Sequence, residues 1–263
     1  MEYKDFAIDF AERAGEIIEK NFITGMKKEW KADNSPVTET DLAINLMLIE
    51  EVRRNFPDHG VLAEEESYNL EAQTLWVCDP VDGTIPFSHG IPISTFSLAL
   101  VKDGEPIIGV LNDPFMKRLF FAEKGKGAFL NNTSIKVSSR SDLFNSVASF
   151  EMFPRAQYKI WGLDEELEKS GVKMTKLASF ALPSALVGCG EYLFTIFPHN
   201  TVWDAAAVKI IVEEAGGKVT DLFGENQRYD SKIRGVIISN GFVHNQVTEA
   251  VCNVLKKNGT KID

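Results

Sequence analysis

The side chains with the clearest chemical potential lie in residues 79–84, which read Asp-Pro-Val-Asp-Gly-Thr. This segment follows the apolar run 75–78, which is typical of a buried strand. Two carboxylates three residues apart at a strand end can converge on one point, and Gly83 lets the backbone approach a ligand closely. Carboxylates and a backbone carbonyl are ligands that Mg²⁺ prefers, and Mg²⁺ binds phosphate. A surface turn is the competing interpretation of the same residue types.

Further acids occupy comparable places. Glu64 and Glu65 end the apolar run 61–63, and Asp204 opens an alanine-rich helix. Taken alone, an aspartate at a helix start is most often an N-cap, and a run of glutamates is usually a solvated face. Beside the acids of residues 79–84, they favour a cation site built from several elements.

Regular apolar patterns predict the elements that must position these acids. Spacings of three and four residues predict helices, and Asp-Gly between two apolar runs predicts a hairpin at 102–105. The predicted helices span 3–22, 42–56, 204–215 and 244–255.

The length of 263 residues fits one large domain or two smaller ones. Around 138–141 the composition turns polar and the pattern restarts. We therefore predict an N-terminal domain over 1–140 and a C-terminal domain over 141–263.

Charge and cysteine content exclude several classes of function. The formal charge is −10, which argues against a nucleic-acid groove, because such a groove needs excess Lys and Arg. The sequence shows no secretory signal and no apolar run long enough to span a membrane. Three dispersed cysteines indicate neither a disulfide framework nor a zinc site, so we expect a cytoplasmic protein.

Four segments in register resemble the inositol monophosphatase family of Mg²⁺-dependent, lithium-sensitive phosphatases. Residues 79–84 resemble its first signature, 203–207 its second, and 61–65 its Glu-Glu element. Residues 31–41 resemble its mobile loop and the aspartate that opens the next helix. The resemblance implies the sugar-phosphatase-like fold, an α/β (α+β) sandwich of alternating α-β-α-β-α layers. In it the N-terminal domain binds metal and phosphate, and the C-terminal domain contributes Asp204 and the substrate pocket.

The resemblance also implies two to three Mg²⁺ ions in the active site. The first would be held by Glu64, Asp79 and the carbonyl oxygen of Val81, and the second by Asp79, Asp82 and Asp204. Physical chemistry agrees, because carboxylates gathered at one point raise one another's pKa unless cations are present.

The remaining roles rest on the same resemblance. Asp41 would assist a loosely held third ion or the attacking water, which Thr84 and Glu64 would orient. Backbone N–H groups of Gly83 and Thr84 would bind phosphate, and Lys31 would lie near a metal or the phosphate.

This sequence departs from the family pattern on the substrate side. Pro86 replaces a common Asn, and Phe197 stands where inositol phosphatases often carry a sugar-binding Glu. Ser179 and Phe180 lie in the run that usually lines the substrate pocket. The two phenylalanines would make that pocket more apolar or more closed, or they are core aromatics.

We therefore expect an enzyme, a homodimeric phosphomonoesterase that hydrolyses a small polyol or sugar phosphate resembling inositol 1-phosphate. The alternatives are a histidinol-phosphate phosphatase, a fructose-1,6-bisphosphatase or a 3′-phosphoadenosine nucleotidase of the same superfamily. A catalytically silent metal-binding homologue is the alternative from another class. Neither nucleic acid nor membrane is an expected partner.

Overall fold

The chain forms seven helices and fourteen strands within the residues that the computed structural model describes, 2–32, 34–153 and 156–260. Asp33 of the predicted mobile loop lies outside the described residues. The helices are α1 (Tyr3–Asn21), α2 (Glu39–Asn55), α3 (Thr84–Ser88), α4 (Leu163–Lys169), α5 (Ala181–Gly188), α6 (Ala206–Glu214) and α7 (His244–Lys257). The strands are β1 (Glu29–Trp30), β2 (Pro36–Val37), β3 (Gly60–Ala63), β4 (Thr74–Asp82), β5 (Thr95–Lys102), β6 (Glu105–Asp113), β7 (Arg118–Glu123), β8 (Ala128–Leu130), β9 (Thr133–Ser134), β10 (Val147–Phe150), β11 (Lys173–Thr175), β12 (Phe194–Phe197), β13 (Lys218–Thr220) and β14 (Val236–Ser239).

The large sheet contains β3 to β9, arranged in chain order. β3 and β4 are parallel, and every later neighbouring pair is antiparallel. The β5–β6 hairpin turns at Asp103 and Gly104, whose φ angles are 54° and 85°. These left-handed values match the twist of a two-residue hairpin, so the hairpin predicted at 102–105 is confirmed.

Two amphipathic helices cover the outer face of the large sheet. α1 contacts β5 and β6, whereas α2 contacts β3 and β4. Phe6, Phe10 and Leu48 are among the buried side chains on the inner faces of these helices. Burial of such an apolar stripe supplies most of the free energy that holds a helix on a sheet. The predictions of helices over 3–22 and 42–56 are confirmed.

The small sheet contains five strands in the order β11-β10-β12-β14-β13. β10 is parallel to β11 and β12, whereas β14 is antiparallel to β12 and β13. α5 and α6 contact both sheets, and α4 and α7 pack on the far side of the small sheet. The resulting order is α-β-α-β-α, so the predicted layered sandwich is confirmed.

A shared apolar core joins the two halves of the chain. Leu75 and Val77 of the large sheet belong to the same buried cluster as Ile211 of α6 and Ile238 of the small sheet. The large sheet ends at Ser134 and the small sheet begins at Val147, on either side of the polar segment 138–141. The division into domains 1–140 and 141–263 stays a prediction, because this core is continuous across it.

Three local details differ from the patterns in the sequence. β4 continues through Asp82, so the first four residues of the hexapeptide 79–84 form the end of the strand, and Thr84 begins α3. α6 begins at Ala206, and Asp204 lies in the preceding turn instead of opening the helix. The polar stretch 27–40, whose composition is typical of a loop, contains the short β1–β2 hairpin. Of the described helices, none has the length and apolarity that crossing a membrane requires.

Close contact between β6 and α6 makes Gly109 a stability determinant. A Cβ atom there would lie 2.5 Å from Ile210 Cγ2 and 2.6 Å from the carbonyl oxygen of Ala207. We expect Gly109→Ala to lower the free energy of unfolding by about 1–3 kcal/mol, because the helix must move off the sheet. Urea unfolding measures this change. The exposed substitution Lys102→Ala should stay within about 0.5 kcal/mol of the wild-type chain, and equal stability of both variants would contradict the packing argument.

Candidate active site

A register shift near the end of β4 brings its two acids to one side. In a regular strand, residues three apart point to opposite faces of the sheet. The pairing of β4 with β5 is irregular between Asp79 and Asp82, which re-aims the side chains as a β-bulge does. The N–H of Val81 donates to Asp79 Oδ1 at 2.9 Å and holds this bend. Both carboxylates are buried, with 2% and 4% of the residue exposed.

Asp204 reaches the same point from the helix layer between the sheets. It lies in the turn before α6, where the hydroxyl of Thr201 donates to Asp204 Oδ2. Carboxylate oxygens of Asp79, Asp82 and Asp204 all lie within 4.8 Å of one another. Residues separated by more than a hundred positions thus form one cluster at the junction of the two sheets.

The charges of this cluster conflict. Burial raises the pKa of Asp79 well above its usual value, and the neighbouring charges of Glu64, Asp204, Asp82 and Asp41 raise it further. The pKa of Asp204 is raised in the same way, first by burial and then by Asp82 and Glu64. An all-oxygen donor set with strong mutual repulsion fits hard divalent cations, which would remove the conflict.

Asp82 is held by groups from the other half of the chain. Ser179 donates its hydroxyl to Asp82 Oδ2, and the N–H of Phe180 donates to Oδ1 at 3.0 Å. The N–H of Ala181 and the hydroxyl of Thr95 add longer contacts of 3.3 and 3.2 Å. Burial raises the pKa of Asp82, and these hydrogen bonds partly offset that effect. Sequence reasoning placed Ser179 in the substrate pocket and missed this contact, because no local pattern connects residues 97 positions apart.

Asp41 and Thr84 lie beside the cluster. Asp41 forms a capping box with Thr38 at the start of α2, accepting the Thr38 N–H at 3.0 Å. The hydroxyl of Thr84 lies 2.9 Å from the carbonyl oxygen of Val81 and 3.3 Å from Asp41 Oδ1. Burial, partly offset by Thr38, raises the pKa of Asp41 to about 7. Gly83 adopts a φ of 84° directly before α3, where a Cβ would lie 2.7 Å from the carbonyl oxygen of Ile93.

Lys31 is an internal counter-ion at the edge of the site. Its Nζ lies 2.7 Å from Glu64 Oε1 and 2.5 Å from Glu65 Oε1. Burial alone would lower the pKa of Lys31, but these two carboxylates raise it above its usual value. The structure therefore brings together Lys31, Glu64 and the aspartates that the sequence singled out.

Two substrate-side candidates lie in the core. Phe180 and Phe197 are 2% and 3% exposed, and their rings stack with centroids 4.5 Å apart. Phe197 also packs against His199, with ring centroids 4.6 Å apart. Ser179, Phe180 and Phe197 form a wall beside Asp82, and the two rings lie on its inner side. Contact of these rings with substrate stays a prediction.

Comparison with known proteins agrees with this arrangement. The model of the inositol monophosphatase family matches residues 1–259. The fructose-1,6-bisphosphatase/inositol-1-monophosphatase of Thermotoga maritima is 36% identical over 262 residues, which cover 99% of this chain and 100% of that protein. The histidinol-phosphatase of Mycobacterium tuberculosis is 30% identical, covering 92% of this chain and 94% of that protein. The solved Thermotoga maritima IMPase is 35% identical with a TM-score of 0.88, covering 98% of this chain and 100% of that one.

Fold, acidic cluster and relatives together define a phosphoric monoester hydrolase. The chain belongs to the inositol monophosphatase family, whose members act on sugar phosphates and generally depend on Mg²⁺.

Repulsion within the cluster predicts that the Asp79 carboxylate destabilises the metal-free chain. Two unit charges 4.8 Å apart repel by roughly 3.5 kcal/mol at an effective dielectric of 20. We expect Asp79→Asn to raise the free energy of unfolding in EDTA at pH 7.5, by about 1 kcal/mol because protonation already relieves part of the repulsion. Urea unfolding measures the gain.

The sign of its pH dependence comes from the raised pKa. The folded chain keeps a proton on Asp79 that the unfolded chain has lost, so wild-type stability falls as pH rises from about 4. The advantage of Asp79→Asn should therefore shrink at pH 5. Asp58→Asn, at an exposed turn, should leave the free energy of unfolding unchanged at pH 7.5 and at pH 5. A destabilised Asp79→Asn chain at pH 7.5 would contradict the repulsion.

Proposed function

We propose that the protein hydrolyses the phosphomonoester of a small polyol or sugar, resembling inositol 1-phosphate, with two to three Mg²⁺ ions in its active site. The convergence of the Asp79, Asp82 and Asp204 carboxylates within 4.8 Å carries this proposal. Such a cluster is costly to bury without cations and suits them when they are present.

The ligand sets follow the family resemblance, and the second of them consists of the three acids of the cluster. Glu64, Asp79 and the Val81 carbonyl would hold the first ion, and Asp79, Asp82 and Asp204 the second. Bound Mg²⁺ supplies Lewis-acid stabilisation of the phosphoryl oxygens and of the leaving oxygen and lowers the pKa of water.

Side chains around the cluster orient the attacking water. The Thr84 hydroxyl donates its hydrogen toward Val81 O or Asp41, which leaves its oxygen to accept a hydrogen bond from water. Glu64 would orient the same water together with Thr84. Asp41 fixes the position of Thr84 and adds negative charge for a third ion.

The phosphate is bound by groups next to the second acid. Backbone N–H groups of Gly83 and Thr84 lie at the turn after Asp82 and would donate to phosphoryl oxygens. Lys31 would exchange its bonds to the Glu64 and Glu65 carboxylates for a phosphoryl oxygen when cations neutralise those acids. Lys31 would thus share the negative charge of Glu64 with the ion that this carboxylate would hold.

The leaving group of the substrate would be selected by the wall that contains Ser179, Phe180 and Phe197. No acidic side chain stands at position 197, where inositol phosphatases often carry one. The two stacked rings fill the inner side of this wall and leave no room there for a polar side chain. We infer that the pocket selects the leaving group mainly by its shape. The relative rates of hydrolysis of inositol phosphate and other sugar phosphates test this inference.

A phosphate-release panel tests this function. With Mg²⁺ present, it compares inositol 1-phosphate, fructose 1,6-bisphosphate, histidinol phosphate, 3′-phosphoadenosine 5′-phosphate and glycerol 2-phosphate. We expect the first two to be turned over fastest. Selective hydrolysis of histidinol phosphate or of the adenosine nucleotide would contradict the proposed substrate class and identify that compound's class instead. No hydrolysis of any compound would favour the silent homologue, against which the complete set of acids argues.

Asp204→Asn should remove at least about 99% of the turnover, because the second ion loses a charged ligand. The variant should stay folded, since the amide oxygen of the new side chain still accepts the Thr201 hydrogen bond. Phosphate release at saturating Mg²⁺ measures the loss, and circular dichroism checks the fold. Asp230→Asn, outside the cluster, is the matched control. Wild-type turnover by Asp204→Asn would remove Asp204 from the ligand set.

We also infer a homodimer in the cytoplasm. The family resemblance supports the dimer, and sedimentation equilibrium measures it directly. The location is supported by Cys78, Cys189 and Cys252, each of which is a free thiol, as a reducing compartment keeps them.

A further inference from the structure

Glu151 is a buried carboxylate outside the ligand set, at the end of β10 in the small sheet. It is only 4% exposed. We infer that Glu151 is a positioning residue for the metal site. Its carboxylate holds the loop 177–178 in the conformation in which the next three residues donate hydrogen bonds to Asp82. This inference rests on the proposed function, because it assigns Asp82 to a metal ion.

The first step is the contact between Glu151 and that loop. The N–H of Leu177 donates to Glu151 Oε1 at 2.5 Å, and the N–H of Ala178 also donates to this carboxylate. Two successive N–H groups that point at one anion form a backbone nest, which a carboxylate fits. The hydroxyl of Ser149 approaches Glu151 Oε1 at 3.4 Å and, more closely, the carbonyl oxygen of Thr175 at 3.1 Å.

The second step is the backbone conformation of Ala178. Its φ is 52°, in the left-handed region that residues with a Cβ rarely adopt. A loop with alanine at this position relaxes unless its surroundings hold it. The hydrogen bonds to Glu151 are made by this residue and the one before it, so Glu151 is placed to hold that conformation.

The third step is the contact that the three residues after Ala178 make with Asp82. Ser179, Phe180 and Ala181 donate three hydrogen bonds to Asp82, from a hydroxyl and two N–H groups. These donors aim at Asp82 only while the loop before them keeps its turn. Glu151 therefore acts on Asp82 through the backbone and makes no hydrogen bond to it.

Substitutions at Glu151 separate this role from a role of its charge. Glu151→Gln keeps a carbonyl oxygen for both N–H groups, so Mg²⁺ affinity should stay within about threefold of wild type. Glu151→Ala removes the acceptor and should weaken Mg²⁺ binding by about 10–100-fold, as loss of an outer partner of a metal ligand does. Isothermal titration with MgCl₂ in the absence of substrate measures both values.

Glycine at position 178 tests the route through the loop. Glycine adopts positive φ without steric cost, so Ala178→Gly in the Glu151→Ala background should recover part of the lost Mg²⁺ affinity. Ala178→Gly alone should bind Mg²⁺ as the wild-type chain does. Hydrogen exchange at the Phe180 and Ala181 amides, measured in EDTA, should be faster in Glu151→Ala and slower again in the double variant. Glu168→Ala, an exposed site on α4, is the matched control.

Each outcome has one meaning. Equal losses in Glu151→Gln and Glu151→Ala would overturn the inference, because the charge would then be the active feature. Absence of any recovery in the double variant would also overturn it. If Glu151→Ala does not fold, Glu151→Asp replaces it, since the shorter carboxylate cannot reach both N–H groups and should weaken Mg²⁺ binding. The proposed function itself fails if Asp204→Asn keeps wild-type Mg²⁺ affinity, whereas loss in Asp204→Asn with none in Glu151→Ala overturns only the present inference.

Discussion

Repulsion among buried carboxylates governs how this structure is built around its site. Asp79, Asp82 and Asp204 share a space less than 5 Å across, and burial strengthens every interaction between their charges. Left to themselves these side chains would take up protons or move apart. The surrounding elements hold them together, and an oxygen cluster of this kind suits divalent cations.

Hydrogen-bond donors behind the acids do this holding. Thr38 restrains Asp41, Thr201 restrains Asp204, and the 179–181 segment restrains Asp82. Such partners fix the orientation of a ligand before the ion arrives, so less order has to be gained on binding. The donors to Asp82 come mostly from the opposite half of the chain, which makes the metal site sensitive to how α5 and α6 pack between the two sheets.

The acidic cluster and the aromatic residues beside it come from different parts of the fold. The bulged end of β4 and the turn before α6 carry the three clustered acids. The segment after β11 and the end of β12 carry the neighbouring Ser179, Phe180 and Phe197. The Phe180 and Phe197 rings stack on each other there and are almost completely buried. The acids and the aromatic residues beside them can therefore change independently, in keeping with relatives that bear the names of different phosphatases.

Local features could be predicted from the sequence alone: the amphipathic helices, the Asp-Gly hairpin, the layered fold class and the identity of the clustered acids. The helices and the hairpin depend on spacing within a few residues, which periodicity and turn chemistry encode. The fold class and the roles of the acids came from the resemblance of four short segments to the inositol monophosphatase family. Tertiary packing decided that β4 bends between Asp79 and Asp82 and that Ser179 holds Asp82. It also decided that Glu151 contacts the loop 177–178, which precedes Ser179. The last two contacts join residues 97 and 26 positions apart, and which donors meet which carboxylate depends on how the two sheets pack across the shared helix layer.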